Sequence, residues 1–565
     1  IISDLTDMGG ATLNSVFDGG SLIVGQDLSS SDVASFSIKA GSAKLDVAAN
    51  QSYSIGSVFE NNGVTAGALE KIGSGTLTLD GSNTYTGSTT VSVGTLDVTG
   101  SLASSVIGVS DGATLKVDGS SLGDTTSAVT LTGTGDMTLA GNETIGSLAG
   151  AGTVTNGGYT LTTGGNDTST TYSGVASGTG GLTKAGSGTL TLDGSNTYTG
   201  STTVSVGTLD VTGSLASSVI GVSDGATLKV DGSSLGDTTS AVTLTGTGDM
   251  TLAGNETIGS LAGAGTVTNG GYTLTTGGND TSTTYSGVAS GTGGLTKAGS
   301  GTLTLDGSNT YTGSTTILAG ILEISADSGI GNSSGGLILN GGTLAITDDI
   351  SSSRTVSLGA NNGTIDTASA KTLSLSNVIS GSGSLTKAGS GTLKVTATNT
   401  YSGGTTISAG TFNLDGSVSS DITVAAAGTI TGDGSTSGTL TASGVIAPGD
   451  SIGTLSIEDN VNFAAGSAFY TEIDGLNYSA SGGAGTYDRL AVTGATASFG
   501  AGGTIIPVLR GISGAANNNF TPTIGDSFRI VTTANASGVS GTFDAITDPT
   551  LGMPTNTRFD VLYGG

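Results

Sequence analysis

The sequence predicts an all-β protein folded as a parallel β-helix, a solenoid of stacked coils. Three observations lead to this prediction. Residues 73–185 recur without change at 186–298, which is a period of 113 residues. A shorter period lies inside the long one, because cores centred on Leu or Met are spaced 19, 19, 22, 24 and 29 residues apart. Within each core, Thr or a charged residue alternates with Leu or Val, the period of two typical of a strand with one buried face.

Each long repeat therefore holds about five coils. A coil of this length cannot bury its own apolar face, so successive coils share a continuous core. Gly accounts for 102 of the 565 residues and interrupts every window long enough to form a helix. With strands about 4.8 Å apart, the chain would form a rod on the order of 120 Å long.

The composition excludes several classes of site. Only 10% of the residues are charged, against roughly 25% in ordinary domains. The mean hydropathy of +0.17 argues against a disordered polar tract. Because the chain has no Cys and no His, it offers no disulfide, no thiolate or zinc site and no Ser-His-Asp triad. We expect no catalytic residue, no metal and no cofactor.

The net charge of −28 repels nucleic acid and anionic lipid, so we expect no nucleic-acid partner. No stretch of the sequence approaches the ~18 apolar residues of a membrane helix.

The composition changes near residue 447, since all five prolines and seven of the eleven Phe lie beyond it. Aromatic side chains give this end a denser core than the Ala- and Gly-rich coils before it. We predict that its core is formed by Phe463, Phe469, Phe499, Phe528 and Phe543. The predicted regions are N-terminal coils 1–72, repeat copies 73–185 and 186–298, divergent coils 299–446 and an end module 447–565.

Four Asn recur at one position of the repeat, each followed two residues later by Tyr. One interpretation is a row of Tyr side chains that faces a ligand. The other is a turn-stabilising Asn with a Tyr lying over the coil, which we favour because the positions are several coils apart. The pairs are Asn83 with Tyr85, Asn196 with Tyr198, Asn309 with Tyr311, and Asn399 with Tyr401.

Thr-x-Thr pairs are also common, as at Thr76/Thr78 and Thr153/Thr155. Ice-binding solenoids use flat arrays of such pairs. The coils here have unequal lengths, which argues against a flat register, and the β-propensity of Thr on an exposed face explains the pairs.

Residues 180–192 read GGLTKAGSGTLTL and lead into NTYTGSTT at 196–203. This motif resembles the autotransporter-associated β-strand repeat, and it begins again near Gly294 and at Gly383. The end module is similar to the C-terminal part of pertactin-like passengers, through APGDSIGTL at 447–455, YDRLAVTG at 487–494 and GVSGTF at 538–543.

The resemblance implies a right-handed β-helix that is the passenger region of a Gram-negative autotransporter. Such a passenger is exported through the periplasm and the outer membrane to the cell surface. The resemblance also implies that residues 447–565 act as an autochaperone ahead of an outer-membrane β-barrel. That barrel is not part of this chain and would be its partner.

The resemblance does not supply an activity, because passengers vary widely. The first hypothesis is a non-enzymatic adhesin or surface rod that binds a host surface, an abiotic surface or a glycan. The second is assembly with copies of itself, as a homo-oligomer, into fibres or filaments. The third is a polysaccharide-cleaving β-helix enzyme, which would need clustered carboxylates. The only adjacent acid pairs are Asp348-Asp349 and Glu458-Asp459, each of which we interpret as a turn or surface pair.

Overall fold

A computed structural model confirms the all-β prediction and gives a parallel β-solenoid. Its only described helical segment is a 3-10 turn at Asp327–Ile330, and the strands pair in parallel with their neighbours one turn away. The structure describes residues 14–24, 28–29, 35–39, 41–63, 66–119, 121–122, 125–232, 234–235, 238–477, 486–494, 496–500, 502–509, 522–523, 525–534, 538–543 and 545–547.

The chain divides into two units. Unit 1 comprises Ile1–Thr281 with Tyr285–Ser290, and unit 2 comprises Ser282–Thr284 with Gly291–Gly565. The predicted boundaries at residues 72, 185, 298 and 446 remain predictions from composition and repetition.

In unit 1 each turn of the solenoid has three sides. The first side holds β1 (Asn14–Phe17), β4 (Ser35–Ile38), β7 (Val58–Asn61), β10 (Ser82–Asn83), β13 (Ser101–Leu102), β18 (Glu143–Ile145), β21 (Leu161–Thr163), β24 (Leu182–Lys184), β27 (Thr202–Val204), β30 (Val219–Val222), β32 (Ala241–Leu244), β35 (Ser260–Gly263) and β38 (Thr283–Tyr285).

The second side holds β2 (Ser21–Val24), β5 (Ala43–Val47), β8 (Leu69–Ile72), β11 (Thr89–Val91), β14 (Val106–Val109), β16 (Ala128–Leu131), β19 (Ser147–Gly150), β22 (Thr170–Tyr172), β25 (Thr189–Leu192), β28 (Thr208–Val211), β31 (Thr227–Val230), β33 (Asp249–Leu252), β36 (Thr266–Thr268) and β39 (Val288–Ser290).

The third side holds β3 (Leu28–Ser29), β6 (Ser52–Ile55), β9 (Thr76–Leu79), β12 (Thr95–Val98), β15 (Thr114–Val117), β17 (Asp136–Leu139), β20 (Thr153–Thr155), β23 (Val175–Ser177), β26 (Ser195–Asn196), β29 (Ser214–Leu215), β34 (Glu256–Ile258) and β37 (Leu274–Thr276).

The alternation within each strand places the core inside these three sides. Leu77, Leu96, Leu115 and Met137 are Cα partners in successive turns, and each is fully buried. The Thr and charged residues between them point outward. The next partner of Met137 is Val154, not Leu161, because Leu161 belongs to the following side of the turn.

One 113-residue copy therefore spans five and two thirds turns, rather than about five. From β9 to its sequence equivalent β25 the chain passes seventeen sides, of which sixteen carry strands and one, at Ser121–Leu122, does not. That strandless side is still stacked, since the Leu102 N–H donates to the Ser121 carbonyl at 2.8 Å. The sequence count missed these short sides because their strands have only two or three residues.

Unit 2 has the same three-sided turn. Its first side holds β40 (Leu295–Lys297), β42 (Thr315–Ile317), β44 (Leu337–Leu339), β47 (Val356–Leu358), β50 (Ile379–Gly381), β54 (Ser417–Val418), β56 (Ser435–Thr436), β59 (Thr454–Ile457), β62 (Arg489–Val492) and β65 (Val531–Thr533). Its second side holds β41 (Thr302–Leu305), β43 (Ile321–Ile324), β45 (Thr343–Ile346), β48 (Gly363–Thr367), β51 (Leu385–Ala388), β57 (Leu440–Ala442), β60 (Val461–Phe463), β63 (Ala497–Phe499) and β66 (Val539–Ser540).

The third side of unit 2 holds β46 (Ile350–Ser352), β49 (Thr372–Leu375), β52 (Thr392–Val395), β58 (Val445–Pro448), β61 (Ala468–Ile473), β64 (Thr504–Leu509) and β67 (Ala545–Ile546). Two long strands, β53 (Thr405–Leu414) and β55 (Ile422–Gly432), run continuously through the second and third sides. Stacking continues past residue 447, because Leu440 is partnered with Val461 and Val445 with Ala468.

Glycine occupies corners where successive turns approach closely. A Cβ on Gly174 would lie 1.7 Å from the Gly152 carbonyl oxygen, and a Cβ on Gly194 would lie 1.8 Å from the Gly174 carbonyl oxygen. No larger residue fits at these corners without moving backbone, which explains why Gly recurs between the strands. Within the described ranges, no helix has the length and apolar character needed to cross a membrane.

Candidate functional site

The recurring Asn connects three successive turns. The Asn83 side-chain oxygen accepts from the Phe59 N–H at 3.0 Å in the preceding turn, and its amide donates to the Gly81 carbonyl at 2.8 Å and to the Ser101 carbonyl of the next turn at 3.0 Å. Asn196 and Asn399 form the same set of bonds, and Asn309 donates to the Gly307 and Gly329 carbonyls. Each Asn is buried and ties the corner of a turn to its neighbours.

The Tyr that follows each Asn lies inside the solenoid. Tyr85, Tyr198, Tyr311 and Tyr401 are all 0% exposed. The Tyr85 hydroxyl hydrogen-bonds to the Thr89 hydroxyl at 2.7 Å, and the other three pair with the Thr four residues on. Burial raises the pKa of Tyr401 to about 12. These four side chains form no outward row for a ligand.

Four buried lysines were not predicted as site residues. Each precedes the Asn of its motif by twelve residues and is at most 1% exposed, and the four are Lys71, Lys184, Lys297 and Lys387. The Lys387 ammonium donates to the carbonyls of Ala388 at 2.6 Å, Gly389 at 2.8 Å and Ala409 at 3.3 Å, the last in the next turn. Burial lowers the pKa of Lys71 and of Lys387 to about 8, and the carboxylates of Asp46 and Asp366 partly oppose the shift. The only sequence signal was that a lysine occupied an inward position of a strand.

Two glutamates are buried in the same way. Glu143 is 1% exposed, and its carboxylate accepts from the Ser121 N–H at 3.1 Å, the Ser121 hydroxyl at 2.9 Å and the Leu122 N–H at 3.2 Å. Glu256 repeats these contacts in the second copy. Burial raises the pKa of both carboxyls, despite these hydrogen bonds. On the side of the turn that lacks a strand, each carboxylate accepts the backbone hydrogen bonds that a neighbouring strand would otherwise accept.

The five Phe residues predicted as the core of the end module lie in two separate groups. Phe463, Phe469, Phe499 and Phe543 form one cluster, with the ring of Phe463 4.9 Å from that of Phe499 and 5.3 Å from that of Phe543. Phe528 instead packs on Tyr487 at 5.5 Å. A second stack in unit 1, formed by Phe17, Phe36 and Phe59, was not predicted, and its Phe36 and Phe59 rings lie 4.8 Å apart.

Outward Thr residues form straight columns, because the strands keep register despite the unequal coil lengths. The corner loops absorb the differences in coil length, so these differences do not shift the register. The Thr-x-Thr pair itself does not repeat, because Thr78 is followed by Asp97 and Lys116 in the next turns. Other rows of outward Thr are also in register, among them Thr144, Thr162, Thr183 and Thr203 on the first side of unit 1. We use the name threonine columns for three rows, which we define by their Cα partners. The first is Thr76, Thr95 and Thr114, the second is Thr189, Thr208 and Thr227, and the third is Thr372, Thr392, Thr411 and Thr429.

The Thr residues of the threonine columns are half-buried, and, among the described residues, their hydroxyls bond to no protein group. The next outward positions are mostly satisfied. Asp97, beside the first column, pairs with Lys116 at 2.9 Å. Asp136 is the Cα partner of Thr114 and follows the first column in the next turn, and its carboxylate accepts from the hydroxyls of Thr138 and Thr153 at 2.5 and 2.6 Å. The columns are therefore rows of neutral hydrogen-bonding groups available to solvent.

The two identical copies display the first and second columns on different sides of unit 1. The first column lies on the third side, in β9, β12 and β15. The second lies on the second side, in β25, β28 and β31. This follows from the repeat of seventeen sides, which is one side short of six whole turns.

All ten lysines lie in the described ranges, and each has a hydrogen-bonding or ionic partner there. The four motif lysines point into carbonyls, and the other six are ion-paired with carboxylates. These pairs include Lys44 with Glu70 at 2.8 Å, Lys371 with Asp348 at 2.6 Å and Lys394 with Asp415 at 2.6 Å. No group of acidic side chains suited to a metal ion occurs in the part of the chain that the structure describes.

The fold and the motif together define the class of this protein, a parallel β-solenoid with passenger-associated-transport repeats. Residues 69–98, 182–211, 295–324 and 385–414 match the passenger-associated-transport-repeat family, and each match contains one buried Lys, Asn and Tyr.

The chain is similar to the adhesin BmaC autotransporter of Brucella suis biovar 1 (strain 1330). The two are 36% identical over 358 residues, which is 59% of this chain and 9% of that protein. The chain thus spans about a tenth of the length of its curated relative. The resemblance to autotransporter passengers is confirmed, while the similarity of residues 447–565 to pertactin-like passengers remains a prediction.

Proposed function

We propose that this chain is a secreted, non-enzymatic section of an autotransporter passenger and acts as an adhesin at the surface of a Gram-negative bacterium. Its route is export through the periplasm and the outer membrane. The observation that carries the proposal is the set of four passenger-associated-transport repeats in a solenoid similar to an adhesin. Hydrogen-bonded polar motif residues that point inward support a scaffold role for the repeats.

The chemistry of the surface supports adhesion over catalysis. A polysaccharide-cleaving site needs two carboxyl groups facing one bond. The acid pair Asp348-Asp349 is instead ion-paired with Lys371, with nitrogen–oxygen distances of 2.6 and 3.8 Å. Long faces of neutral hydroxyls favour broad, weak contacts that add up over many turns.

The experiment is surface display. The chain is fused to the transporter barrel of an unrelated autotransporter in a Gram-negative strain that lacks adhesins, and adherence to epithelial cells, glass and polystyrene is counted. The control strain displays an unrelated β-solenoid from the same barrel. We expect several-fold more adherent bacteria than in the control. Equal adherence with the chain at the surface, or a chain that stays inside the cell, would contradict the proposal. Clumping of the bacteria with each other would instead indicate self-association.

A further inference from the structure

We propose that the threonine columns bind an uncharged, polyhydroxylated polymer, a neutral glycan, and that the two repeat copies bind it on two sides of the solenoid. A single chain would then bridge two glycan-bearing surfaces. This inference rests on the proposed adhesive function and names its ligand class and its geometry.

The columns have the hydrogen-bonding character that such a polymer requires. Thr76, Thr95 and Thr114 are in register on adjacent strands, so their hydroxyls follow one line at the strand spacing of about 4.8 Å. A hydroxyl both donates and accepts, as do the hydroxyls of a sugar. Because these groups bond to no protein atom within the described ranges, a ligand displaces only water from them.

The charges favour a neutral polymer over an anionic one. Recognition of a carboxylate or sulfate needs a free ammonium or guanidinium. Beside the first column, the ammonium of Lys116 is already held by Asp97, and beside the second column Lys229 is held by Asp210, both at 2.9 Å. The net charge of −28 further repels a polyanion.

The arrangement of the copies decides how many targets one chain reaches. The first column lies in β12 and its neighbours, which pair along the third side, while the second lies in β28 and its neighbours along the second side. A rigid flat target therefore meets one of these columns at a time. The other column remains free for a second target, so duplication of the copy adds bridging rather than a longer single contact.

The experiment uses the full chain and variants in which every Thr of a column becomes Val, which keeps the β-branched shape and removes the hydroxyl. The probes are beads coated with dextran, with mannan or with soluble starch, and beads coated with alginate as the anionic comparison. Binding and bead agglutination are measured separately. Circular dichroism and light scattering confirm that each variant is folded and monomeric.

We expect the wild type to bind and agglutinate at least one kind of neutral bead and to leave alginate beads unbound. The variant without the third column should still agglutinate, because the first and second columns remain on different sides. Removing the second column as well should preserve binding and sharply reduce agglutination, because one of the two sides displayed by the repeat copies is then lost. Removing all three columns should weaken binding at least about tenfold, since several hydrogen bonds are lost together.

Three results would overturn the inference. Binding that survives removal of all three columns would place the ligand elsewhere. Undiminished agglutination by the variant with a single column would exclude two-sided display. Adherence in the surface-display experiment without binding to any neutral bead would reject the glycan while leaving the proposed function intact. Failure of both experiments would reject the adhesive function itself.

Discussion

At the scale of single residues, the repeat motif is defined by polar groups that the solenoid buries. An ammonium has three protons to donate, and three backbone carbonyls surround the nitrogen of Lys387. Two of these carbonyls lie at its own corner, and the third, of Ala409, lies in the next turn. The lysine thus connects consecutive turns at a corner where regular strand pairing stops.

Replacing Lys387 by Met should destabilise unit 2. Met retains an apolar stem of similar length but leaves three buried carbonyls without their donor, at a cost of about 1–3 kcal/mol. The measurement is the urea midpoint of unfolding followed by far-ultraviolet circular dichroism. The matched control is Lys371→Met, which removes a surface ion pair and should change the midpoint little. Equal effects of the two substitutions would contradict the role assigned to Lys387.

The same lysine should give a defined dependence on pH. Burial lowers the pKa of Lys387 to about 8 from an ordinary value of 10.5. Between these values the unfolded chain binds more protons than the folded chain, so the contribution of Lys387 to stability rises as the pH rises through this window. The difference in urea midpoint between wild type and Lys387→Met should therefore widen from about pH 8 to about pH 10. Ionisation of tyrosine affects both proteins alike and cancels in the difference, and a constant difference would refute the prediction.

At the scale of elements, the strands are set by alternation and the corners by glycine. Leu96 and Val98 point inward while Thr95 and Asp97 point outward, so a slip of one residue would bury charge and expose the core. The corners have no such alternation. The residue that fits at a corner is limited by the short distance between the backbones of successive turns.

Replacing Gly174 by Ala should be strongly destabilising. The added Cβ would lie 1.7 Å from the Gly152 carbonyl oxygen. Neither atom can rotate away as a flexible side chain could, so the backbones of the two turns must move apart. We expect a loss of about 1–3 kcal/mol or more, read from the urea midpoint. Gly108→Ala is the control, because nothing lies within 4 Å of its added Cβ. That substitution should be neutral or slightly stabilising, and a similar loss at both positions would show that corner packing is not the cause.

At the scale of the whole molecule, the two aromatic clusters make folding order testable. Phe463 and Phe36 are each 2% exposed and each contact aromatic neighbours, the first in unit 2 and the second in unit 1. Truncating either to Ala should cost about 3–5 kcal/mol. The resemblance to pertactin-like passengers implies that folding begins in residues 447–565. One substitution should therefore change the refolding rate and the other the unfolding rate.

Phe463→Ala should slow refolding from urea, since its contacts would form in the transition state, whereas Phe36→Ala should mainly accelerate unfolding. Stopped-flow and manual-mixing circular dichroism give both rates. If Phe36→Ala slows refolding more than Phe463→Ala does, folding begins near the N-terminal aromatic cluster, and residues 447–565 do not act as an autochaperone.

The fold class, the alternation of inward and outward positions in the strands, and the resemblance of the repeat to autotransporter passengers were all predictable from the amino-acid sequence. These depend on local rules, because alternation and glycine spacing act within one turn. The stacking of the turns was not predictable from the sequence and is known from the three-dimensional structure. It placed Val154 rather than Leu161 on Met137, so that the copies turn onto different sides, and it buried Lys71, Glu143 and Tyr85. Because a solenoid can lengthen a corner without shifting a strand, the spacing along the chain does not reveal which side a residue occupies.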